Sequence, residues 1–591
     1  MARRFSQNDS LADPAGTGAS PVFPDPTPLL VASGLDADEV VRILGPYGLG
    51  NLTEADTNIQ SMAGEPHTRR LLAGILPRLL AEVARTADPD QALNHWERLF
   101  AGSANRSSLL QYLQASPRML GLLCTIFGNS DSLAFALIRD PMLVYWLAEE
   151  DVLTTAPTRE GMVAALRQSL GSLKATELKL DVLRRVRRRE MLRIGVRDLL
   201  RLATVEETVG SLSDLASVLI HAAYEIVDKD LKTQHGTPMH QRPDGTWIET
   251  EFVVIGMGKL GAHELNYSSD VDLIYVYASA DGETRKAKGN RQASIKPLSN
   301  EEYFEMLARS LTKALAEQTR EGAVFRVDLR LRAEGTVGQL ARSVEAYAKY
   351  YAQRGQVWER LALLKAWPVA GSPAVGQAFV QMAEGFVFQS DLQPLTRERA
   401  LAVIRDVRSV KEMIDEKIAV RGHQHRNVKL GTGGIREIEF LVQTIQVLIG
   451  RAVPDILDRK TVGALHRFCR HRFVNEDDQQ QLTEAYWFLR DVEHKLQMMH
   501  DLQTHALPDS HEELQRCAIR MGYYGESRKR AMEQFLADRQ RHTAVVHQTF
   551  RSLFYHPETS DLLSAVVAAA EGHSRRNPSR LEKETSPAGP P

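Results

Sequence analysis

The chain of 591 residues carries 73 Lys and Arg against 75 Asp and Glu, which leaves a net charge of -2. This length excludes a peptide hormone or a disulfide miniprotein, and the balanced charge gives no reason to expect a nucleic-acid partner. No apolar run approaches the roughly 18 residues of a membrane span, no secretion signal is visible, and the three cysteines lie far apart. We therefore expect a cytoplasmic protein without a membrane partner.

The sequence predicts five regions in chain order. Residues 1–28 are rich in Pro, Ser and Gly and poor in apolar groups, which predicts a disordered tail. Apolar residues spaced three and four apart predict helices over residues 29–230, and again over residues 386–556 as a helical bundle. Residues 557–591 predict a short helix and a second disordered tail. Alternation typical of strands is confined to residues 231–385, so the predicted fold class is α+β and predominantly α.

Three segments in that region predict strands because they are rich in β-branched and aromatic residues. They are Phe252–Ile255, Val271–Tyr277 and Val324–Arg332. Two polar segments without periodicity, Lys232–Gly245 and Asp281–Asn300, predict surface loops. We expect the strands to carry the chemistry, because the conspicuous glycines and acids lie among them.

The segment Gly256-Met-Gly-Lys-Leu-Gly261 follows the first predicted strand and matches the glycine pattern of dinucleotide-binding folds. In those folds an acidic residue follows about 20 residues later, at the end of a second strand, and binds a ribose hydroxyl. Here Asp270 and Asp272 lie close behind the glycines, at the start of the next predicted strand. This placement argues against a dinucleotide site.

Asp270 and Asp272 are two positions apart on a predicted strand, so their carboxylates face one side, with Cα atoms about 6 to 7 Å apart. Such close carboxylates repel each other unless a cation lies nearby, and Mg²⁺ prefers oxygen ligands. In the later predicted strand, Asp328 shares its face with Arg330 and Arg332. If the strands are neighbours, three carboxylates hold two Mg²⁺ ions about 3.5 to 4 Å apart. The arginines would then bind phosphate oxygens.

Each of these features also has a plainer interpretation. An Asp pair at a strand start is commonly a turn or cap feature, and alternating arginines on a strand usually mark a solvated face. The combination of a glycine-rich turn, Ser268-Ser269 before the Asp pair, and a later Asp-x-Arg-x-Arg strand nevertheless favours a catalytic site.

The run Gly-Met-Gly-Lys-Leu-Gly-Ala-His-Glu-Leu-Asn-Tyr-Ser-Ser-Asp-Val-Asp-Leu at residues 256–273 resembles the signature of the glutamine synthetase adenylyltransferase/adenylyl-removing family. That family lies within the DNA polymerase beta-like nucleotidyltransferase superfamily. Other segments similar to family blocks are Leu183–Ile194, Val327–Arg332, Tyr350–Tyr351, Trp358–Lys365 and Lys429–Phe440. The resemblance covers about residues 100 to 510.

The resemblance implies a polymerase beta-like nucleotidyltransferase sheet at residues 231–385, embedded in a helical scaffold and followed by the helical bundle. Family members usually carry two such units, one that removes AMP from a tyrosine of glutamine synthetase and one that attaches it. This chain has one Asp-x-Asp block, and its surroundings are most similar to the removing unit. The implied activity is Mg-dependent phosphorolysis, in which phosphate attacks the adenylylated tyrosine and leaves as ADP. The alternative is ATP-dependent adenylylation.

The resemblance also implies roles for individual residues. Asp270, Asp272 and Asp328 are the implied catalytic and metal-binding groups, with Asp328 as base toward a tyrosine hydroxyl in the attaching direction. The residues implied to bind nucleotide or phosphate are Gly258, Lys259, Gly261, Ser269, Arg330 and Arg332. Backbone N–H groups around Gly258 and Gly261 are expected to cradle phosphate. The role of Lys259 stays open because many relatives have Ser there, and Ala333 stands where the family commonly has Pro.

The implied partners are glutamine synthetase as protein substrate, ATP or ADP with phosphate, the PII signal protein, and a separate chain that carries the second unit. A non-catalytic regulator that binds glutamine synthetase or PII is the alternative from another class. The intact carboxylates argue against it.

Three further segments keep two interpretations each. The arginines of residues 184–193 form either a solvated helix face or a patch that faces substrate. Residues 431–434, Gly-Thr-Gly-Gly, either touch phosphate or form a tight helix start. Lys365 either anchors a helix against the sheet or neutralises phosphate charge. Glu437 and Glu439 lie two apart on a predicted helix and thus on different faces, so they are not predicted metal ligands.

Overall fold

The computed structural model describes residues 23–32, 35–285, 296–388, 395–419, 425–500 and 503–576. The larger part of each predicted tail, and residues 286–295 of the second predicted loop, lie outside the described residues. Within them, no helix is long and apolar enough to cross a membrane.

The described residues are mostly helical, as predicted, with a small set of strands. The helices are α1 Pro28–Val31, α2 Ala37–Leu44, α3 Leu52–Ala63, α4 Pro66–Ala84, α5 Pro89–Gly102, α6 Arg106–Ala115, α7 Pro117–Phe127, α8 Asp131–Arg139, α9 Met142–Leu147, α10 Glu150–Thr154, α11 Arg159–Leu170, α12 Thr176–Leu199, α13 Val205–His235, α14 Gly258–Gly261, α15 Asn300–Ala316, α16 Val344–Arg354, α17 Val357–Leu363, α18 Pro373–Val387, α19 Arg397–Ala419, α20 Ile435–Ile449, α21 Thr461–Arg470, α22 Glu476–His500, α23 His511–Arg520, α24 Arg528–Phe554 and α25 Asp561–Arg576. The strands are β1 Thr237–Gln241, β2 Trp247–Glu249, β3 Phe252–Gly256, β4 Val271–Tyr277, β5 Glu283–Arg285, β6 Val327–Asp328, β7 Ala341–Ser343 and β8 Trp367–Gly371.

The chain forms two compact units, and each is assembled from separate stretches of sequence. The first unit comprises residues 1–156, 191–204 and 491–538, and the second comprises residues 157–190, 205–490 and 539–591. These boundaries differ from the predicted ones, which followed the chain without interruption.

The first unit is helical, and its core is built from the apolar faces of short helices. Trp96 of α5 is fully buried, and its ring packs 5.7 Å from Phe100 and 5.1 Å from Phe127. Its indole N–H donates to Cys124 Sγ at 3.4 Å, so the polar atom of this ring is satisfied inside the core. Aromatic packing of this kind stabilises helices that are individually short.

The second unit contains both sheets. In the five-stranded sheet the order is β6, β4, β3, β8, and β7 also pairs with β4. Strand β3 is antiparallel to β4 and to β8, whereas β6 and β7 run parallel to β4. The smaller sheet has the order β2, β1, β5 and is antiparallel. The β3–β4 pair is almost entirely buried, which explains the continuous apolar runs in its sequence.

Helix α15 shows how local sequence and packing agree in this unit. Ser299 caps the helix, and the Glu302 side chain accepts a hydrogen bond from the Ser299 backbone N–H, which completes a capping box. On its buried face, Phe304 stacks 5.7 Å from Phe252 of β3 and 4.6 Å from Tyr277 of β4. The helix is thereby fixed across the two central strands.

The structure confirms two predicted strands and corrects the third. Strands β3 and β4 lie where the sequence predicted them, but the strand predicted at 324–332 is paired only at Val327–Asp328. The prediction of a loop at Lys232–Gly245 was wrong, because this segment contains the end of α13 and all of β1.

Candidate functional site

The turn between β3 and β4 is packed directly against the second aspartate of the Asp-x-Asp pair. Gly258 has φ +53°, and a Cβ atom built there would lie 2.6 Å from the Asp272 carboxylate. The Met257 N–H donates to the Asp272 carbonyl at 2.8 Å. Position 258 thus requires glycine both for its backbone conformation and for the approach of Asp272.

Gly261 has a different role from the predicted one. Its N–H donates to the Met257 carbonyl at 3.1 Å, so it is not a spare donor for phosphate. A Cβ atom at this position would lie 1.9 Å from the carbonyl oxygen of Lys365. The last glycine of the pattern therefore serves close packing, and the helix that it ends, α14, is a single four-residue turn.

Asp272 and Asp328 are direct partners in the parallel ladder of β4 and β6. Paired residues in neighbouring strands share one face of the sheet, with backbones about 4.8 Å apart. Burial raises the pKa of Asp272 to about 6, and the charges of Asp328 and Asp270 act in the same direction. The charges of Lys429 and Arg436 oppose this shift. Burial and the two neighbouring acids therefore outweigh the two cations at Asp272.

The other two carboxylates each have an arginine partner. Asp270 lies just before β4 and accepts a hydrogen bond from Arg326 Nε at 2.8 Å. Asp328 accepts from Arg330 Nε at 2.9 Å and from the Arg330 backbone N–H at 2.8 Å. Burial alone would raise the pKa of Asp328, but the hydrogen bonds and charge of Arg330 outweigh it and lower that pKa.

A divalent cation fits this donor set in part. In the stretches that the structure describes, no three His, Cys, Asp or Glu side chains are gathered closely enough to hold a metal ion. The three predicted carboxylates therefore do not form such a group, and Asp270 and Asp328 are paired with Arg326 and Arg330. Asp272 and Asp328 are direct partners in the β4–β6 ladder, and carboxylate oxygens are the kind of donor that Mg²⁺ prefers once a paired arginine is displaced.

The two predicted phosphate-binding arginines do not share a strand face. Strand β6 ends at Asp328, and the chain then turns, with the Arg332 N–H bonded to the Leu329 carbonyl at 3.2 Å. Arg330 is exposed and folds back onto Asp328. Arg332 is buried and donates to the carbonyls of Leu329 and Gly338, so its guanidinium organises the loop after β6. Arg330 and Arg332 do not lie on one face as predicted, because the chain leaves the extended conformation after Asp328.

Of the remaining predicted residues, Ser269 is half-buried immediately before Asp270, and Lys259 is half-buried immediately after Gly258. The predicted phosphate contacts of Ser269, Gly258 and Lys259 stay predictions. Gly258 and Lys259 begin α14, whereas Ser269 lies two residues before β4.

A buried ionic network behind this turn was not predicted. Lys365 Nζ lies 3.0 Å from Glu439 Oε1 and 3.9 Å from Glu264 Oε2, and all three side chains are buried. Arg436 Nη1 lies 3.4 Å from the other oxygen of Glu439. Glu264 also accepts a hydrogen bond from the Thr461 N–H at 2.9 Å. The network joins the first turn of α20 to the segment before β8 and to the loop after α14.

Arg490 of α22 supports the chain that leads to the Asp pair. It is fully buried, and its guanidinium donates to the Glu264 carbonyl, the Asn266 side chain and the Tyr486 hydroxyl. Because residues 264–266 lie shortly before Asp270, this arginine fixes the approach to the carboxylates.

The Gly-Thr-Gly-Gly segment forms the tight helix start, one of the two interpretations left open. The N–H groups of Gly434, Ile435 and Arg436 donate to the carbonyls of Gly431, Val428 and Lys429 at 2.9 to 3.0 Å. The first turn of α20 therefore keeps its own donors. Glu437 pairs with Lys411 at 3.3 Å, whereas Glu439 pairs with Lys365, so the two glutamates have separate partners.

Three arginines of the arginine-rich segment are paired with protein groups. Arg184 is buried and pairs with Asp181 at 2.9 Å, and Arg188 pairs with Glu321 at 2.9 Å. Arg193 donates to the carbonyl of Val152 at 2.8 Å. Arg185 is exposed, and the substrate-facing patch stays a prediction.

Two cavities, of about 280 and 600 Å³, border Trp367 at the start of β8. Neither is lined by Asp270, Asp272 or Asp328. We place the candidate site at the carboxylates, because the chemistry of a site lies in its polar groups and not in the volume beside it.

Comparison with known proteins finds two family models along the chain. Residues 120–382 match the model described as "Glutamate-ammonia ligase adenylyltransferase", and residues 408–554 match "GlnD PII-uridylyltransferase". The chain is 37% identical over 443 residues to a protein of Nitrosococcus oceani, named "Bifunctional glutamine synthetase adenylyltransferase/adenylyl-removing enzyme". This alignment covers 74% of the chain and 43% of that protein.

A protein of the same name from Rhizobium meliloti is 41% identical over 350 residues, which are 58% of this chain and 33% of that protein. The chain thus spans less than half the length of these curated relatives.

Proposed function

Because residues 120–382 of this chain belong to the glutamate-ammonia ligase adenylyltransferase family, we propose that it transfers AMP on glutamine synthetase, in the removing direction. The observation that carries this proposal is the pairing of Asp272 with Asp328 beside the Gly258 turn. Two strand-borne carboxylates next to a glycine turn also support a DNA polymerase beta-like nucleotidyltransferase sheet.

The proposed reaction is a phosphorolysis. An oxygen of hydrogen phosphate forms a new bond to the phosphorus of the tyrosine-bound AMP, and the bond from that phosphorus to the tyrosine oxygen breaks. The proton of the attacking phosphate ends on the tyrosine oxygen, so the products are ADP and the free tyrosine. The carboxylates of Asp272 and Asp328 would hold Mg²⁺, which when bound neutralises and polarises phosphoryl oxygens.

Direction distinguishes the proposal from its alternative. In the attaching direction, ATP would be the donor and the tyrosine hydroxyl would lose its proton to a carboxylate. Asp328 was the predicted base, but Arg330 lowers its pKa, whereas the pKa of Asp272 is raised to about 6. The hydrogen bonds from Arg330 therefore count against Asp328 as the base in the attaching direction.

The test is an assay of both directions on the same preparation of the full chain. We expect adenylylated glutamine synthetase plus phosphate to yield ADP, and unmodified glutamine synthetase plus ATP to yield no AMP-protein. AMP attachment without ADP formation would reverse the proposed direction. If neither assay yields product, with or without a chain that carries a second unit, the proposal that this chain is an enzyme is contradicted.

The PII signal protein is a second proposed partner. The observation that favours it is the match of residues 408–554 to a family model named for PII uridylylation. We expect the full chain to retain PII on a sensor surface. A folded full chain that does not bind PII would contradict this assignment.

A further inference from the structure

The carboxylate of Glu439 is the centre of a cluster of cations. It is buried, with Lys365 Nζ at 3.0 Å and Arg436 Nη1 at 3.4 Å. Burial alone would raise the pKa of Glu439, but Lys365, Arg436, Lys429 and Lys259 together hold it far below its usual range. Four positive side chains thus act on one carboxylate.

These cations differ in how they are placed. Lys365 is buried and lies between Glu439 and Glu264. Lys259, Lys429 and Arg436 are half-buried. Arg436 contacts Glu439 through one terminal nitrogen, and its buried Nε has no hydrogen-bond partner among the described residues. A guanidinium in this state retains donors for an oxyanion.

The three half-buried cations lie next to the candidate site. Lys259 follows Gly258, which packs on the Asp272 carboxylate. The Arg436 N–H donates to the Lys429 carbonyl at 2.9 Å, so both residues belong to one closed turn. This turn is held further by Asn427, whose side chain accepts from the Lys429 N–H at 3.0 Å. A Cβ atom at Gly261 would lie 1.9 Å from the Lys365 carbonyl oxygen, and Lys365 Nζ lies 3.0 Å from Glu439, so the cluster packs against the turn that holds Gly258 and Lys259. The charges of Lys429 and Arg436 also lower the pKa of Asp272.

We propose that Lys259, Lys429 and Arg436 form a binding site for a phosphoryl oxyanion beside Asp272. The arginine offers a planar set of donors and the lysines add point charges, a combination suited to a tetrahedral dianion. Glu439 is then a positioning residue, since it holds Arg436 without touching the ligand. The inference deepens the proposed function and rests on it for the identity of the ligand. In the removing direction this is the attacking inorganic phosphate.

The test uses the full chain and inorganic phosphate alone. We compare Lys429→Gln/Arg436→Gln with a matched control, Lys417→Gln/Arg405→Gln, whose two side chains are exposed on α19. Isothermal titration should show that wild type and control bind phosphate equally and that the site variant binds about tenfold more weakly or worse. Equal affinity in the site variant and the control overturns the proposal.

Two further measurements complete the experiment. Arg436→Lys keeps the charge and loses the planar donors, so we expect intermediate affinity, and it serves as the decisive variant if the double variant does not fold. Titration with AMP identifies the source of the phosphoryl group. If the site variant loses phosphate binding but keeps AMP binding, the site is specific for inorganic phosphate. If it loses the binding of both ligands, the site accepts any phosphoryl group.

Phosphate binding and turnover are separate readouts. A chain that binds phosphate through these cations but forms no ADP contradicts the proposed function and leaves the site in place. If the double variant forms ADP at the wild-type rate over a range of phosphate concentrations, the proposed phosphate site is contradicted and the proposed function is not.

Discussion

Two carboxylates of the second unit, Asp272 and Glu439, experience opposite electrostatic surroundings although both are removed from water. Asp272 faces Asp328 across a strand pair, and its pKa is raised to about 6. Glu439 lies among Lys365, Arg436 and further cations, and its pKa is lowered. Burial opposes ionisation in both cases, so the balance of nearby charge decides the outcome. The difference shows that neighbouring cations outweigh burial at Glu439 but not at Asp272.

The largest expected effect comes from removing the charge of Asp272. We expect Asp272→Asn to reduce ADP formation by about a hundredfold to a thousandfold, since a group that compensates charge at the reacting phosphorus is lost. Initial rates at saturating phosphate measure this. Asp406→Asn, an exposed position on α19, is the matched control. A variant with unchanged turnover would contradict the assignment of the site.

Removing the charge of Glu439 should lower the free energy of unfolding. Glu439→Gln leaves the buried ammonium of Lys365 with Glu264 at 3.9 Å as its remaining acidic partner, which we expect to cost about 3 kcal/mol of stability. The urea midpoint of the second unit measures this, with the exposed Glu416→Gln as control. If the double variant Lys365→Met/Glu439→Leu is as unstable as the single one, the loss arises from packing and not from the stranded charge.

Asp272→Asn should have the opposite effect on stability in the absence of metal. The folded-state pKa of about 6 exceeds the usual value of 3.8, so ionisation of Asp272 disfavours the fold. We expect a gain of about 3 kcal/mol at pH 8, which shrinks as the pH falls below 6 and vanishes below about 4, where the carboxyl is protonated in both states. Thermal unfolding across this pH range tests it. A gain that does not change with pH would refute the electrostatic explanation.

The smallest effect is expected at the exposed ion pair. Arg326→Gln removes a partner of Asp270, and because the arginine is about half exposed, we expect a change in stability below about 1 kcal/mol. The same variant should bind Mg²⁺ at least as well as wild type, since Asp270 is released. Weaker Mg²⁺ binding would show that Arg326 positions Asp270 and does not compete for it.

The sequence predicted the central strands well because their own residues determine them. Strand β4, Val-Asp-Leu-Ile-Tyr-Val-Tyr, is apolar and β-branched, and the structure places it at the predicted residues. Strands β1 and β8 each contain a proline and little alternation, so their extended form depends on pairing with other strands. Beyond Asp328 the alternating pattern continues through a turn, which is why the predicted strand was too long.

Residues of the candidate site could be predicted from the sequence only where their spacing along a single strand or turn indicates that they lie together. The two aspartates before and within β4, and the glycines that precede them, show such spacing. Lys429 and Arg436 reach Asp272 from a distant part of the sequence, and the Arg184–Asp181 and Arg188–Glu321 pairs appear only when chain segments meet. The glycine-rich block at residues 431–434 indicates a turn with backbone donors, but its sequence does not indicate that the cations on either side come together.

The brevity of β6 has a consequence for motion. Asp328 is aligned with Asp272 by a ladder of two residues, in which the Val271 N–H donates to the Arg326 carbonyl at 2.9 Å. Local opening of so short a ladder requires little free energy compared with opening the buried β3–β4 pair. Amide hydrogen exchange at Val271 should therefore be much faster than at Val254 or Ile274. Asp328 can therefore separate from Asp272 while the β3–β4 pair stays intact.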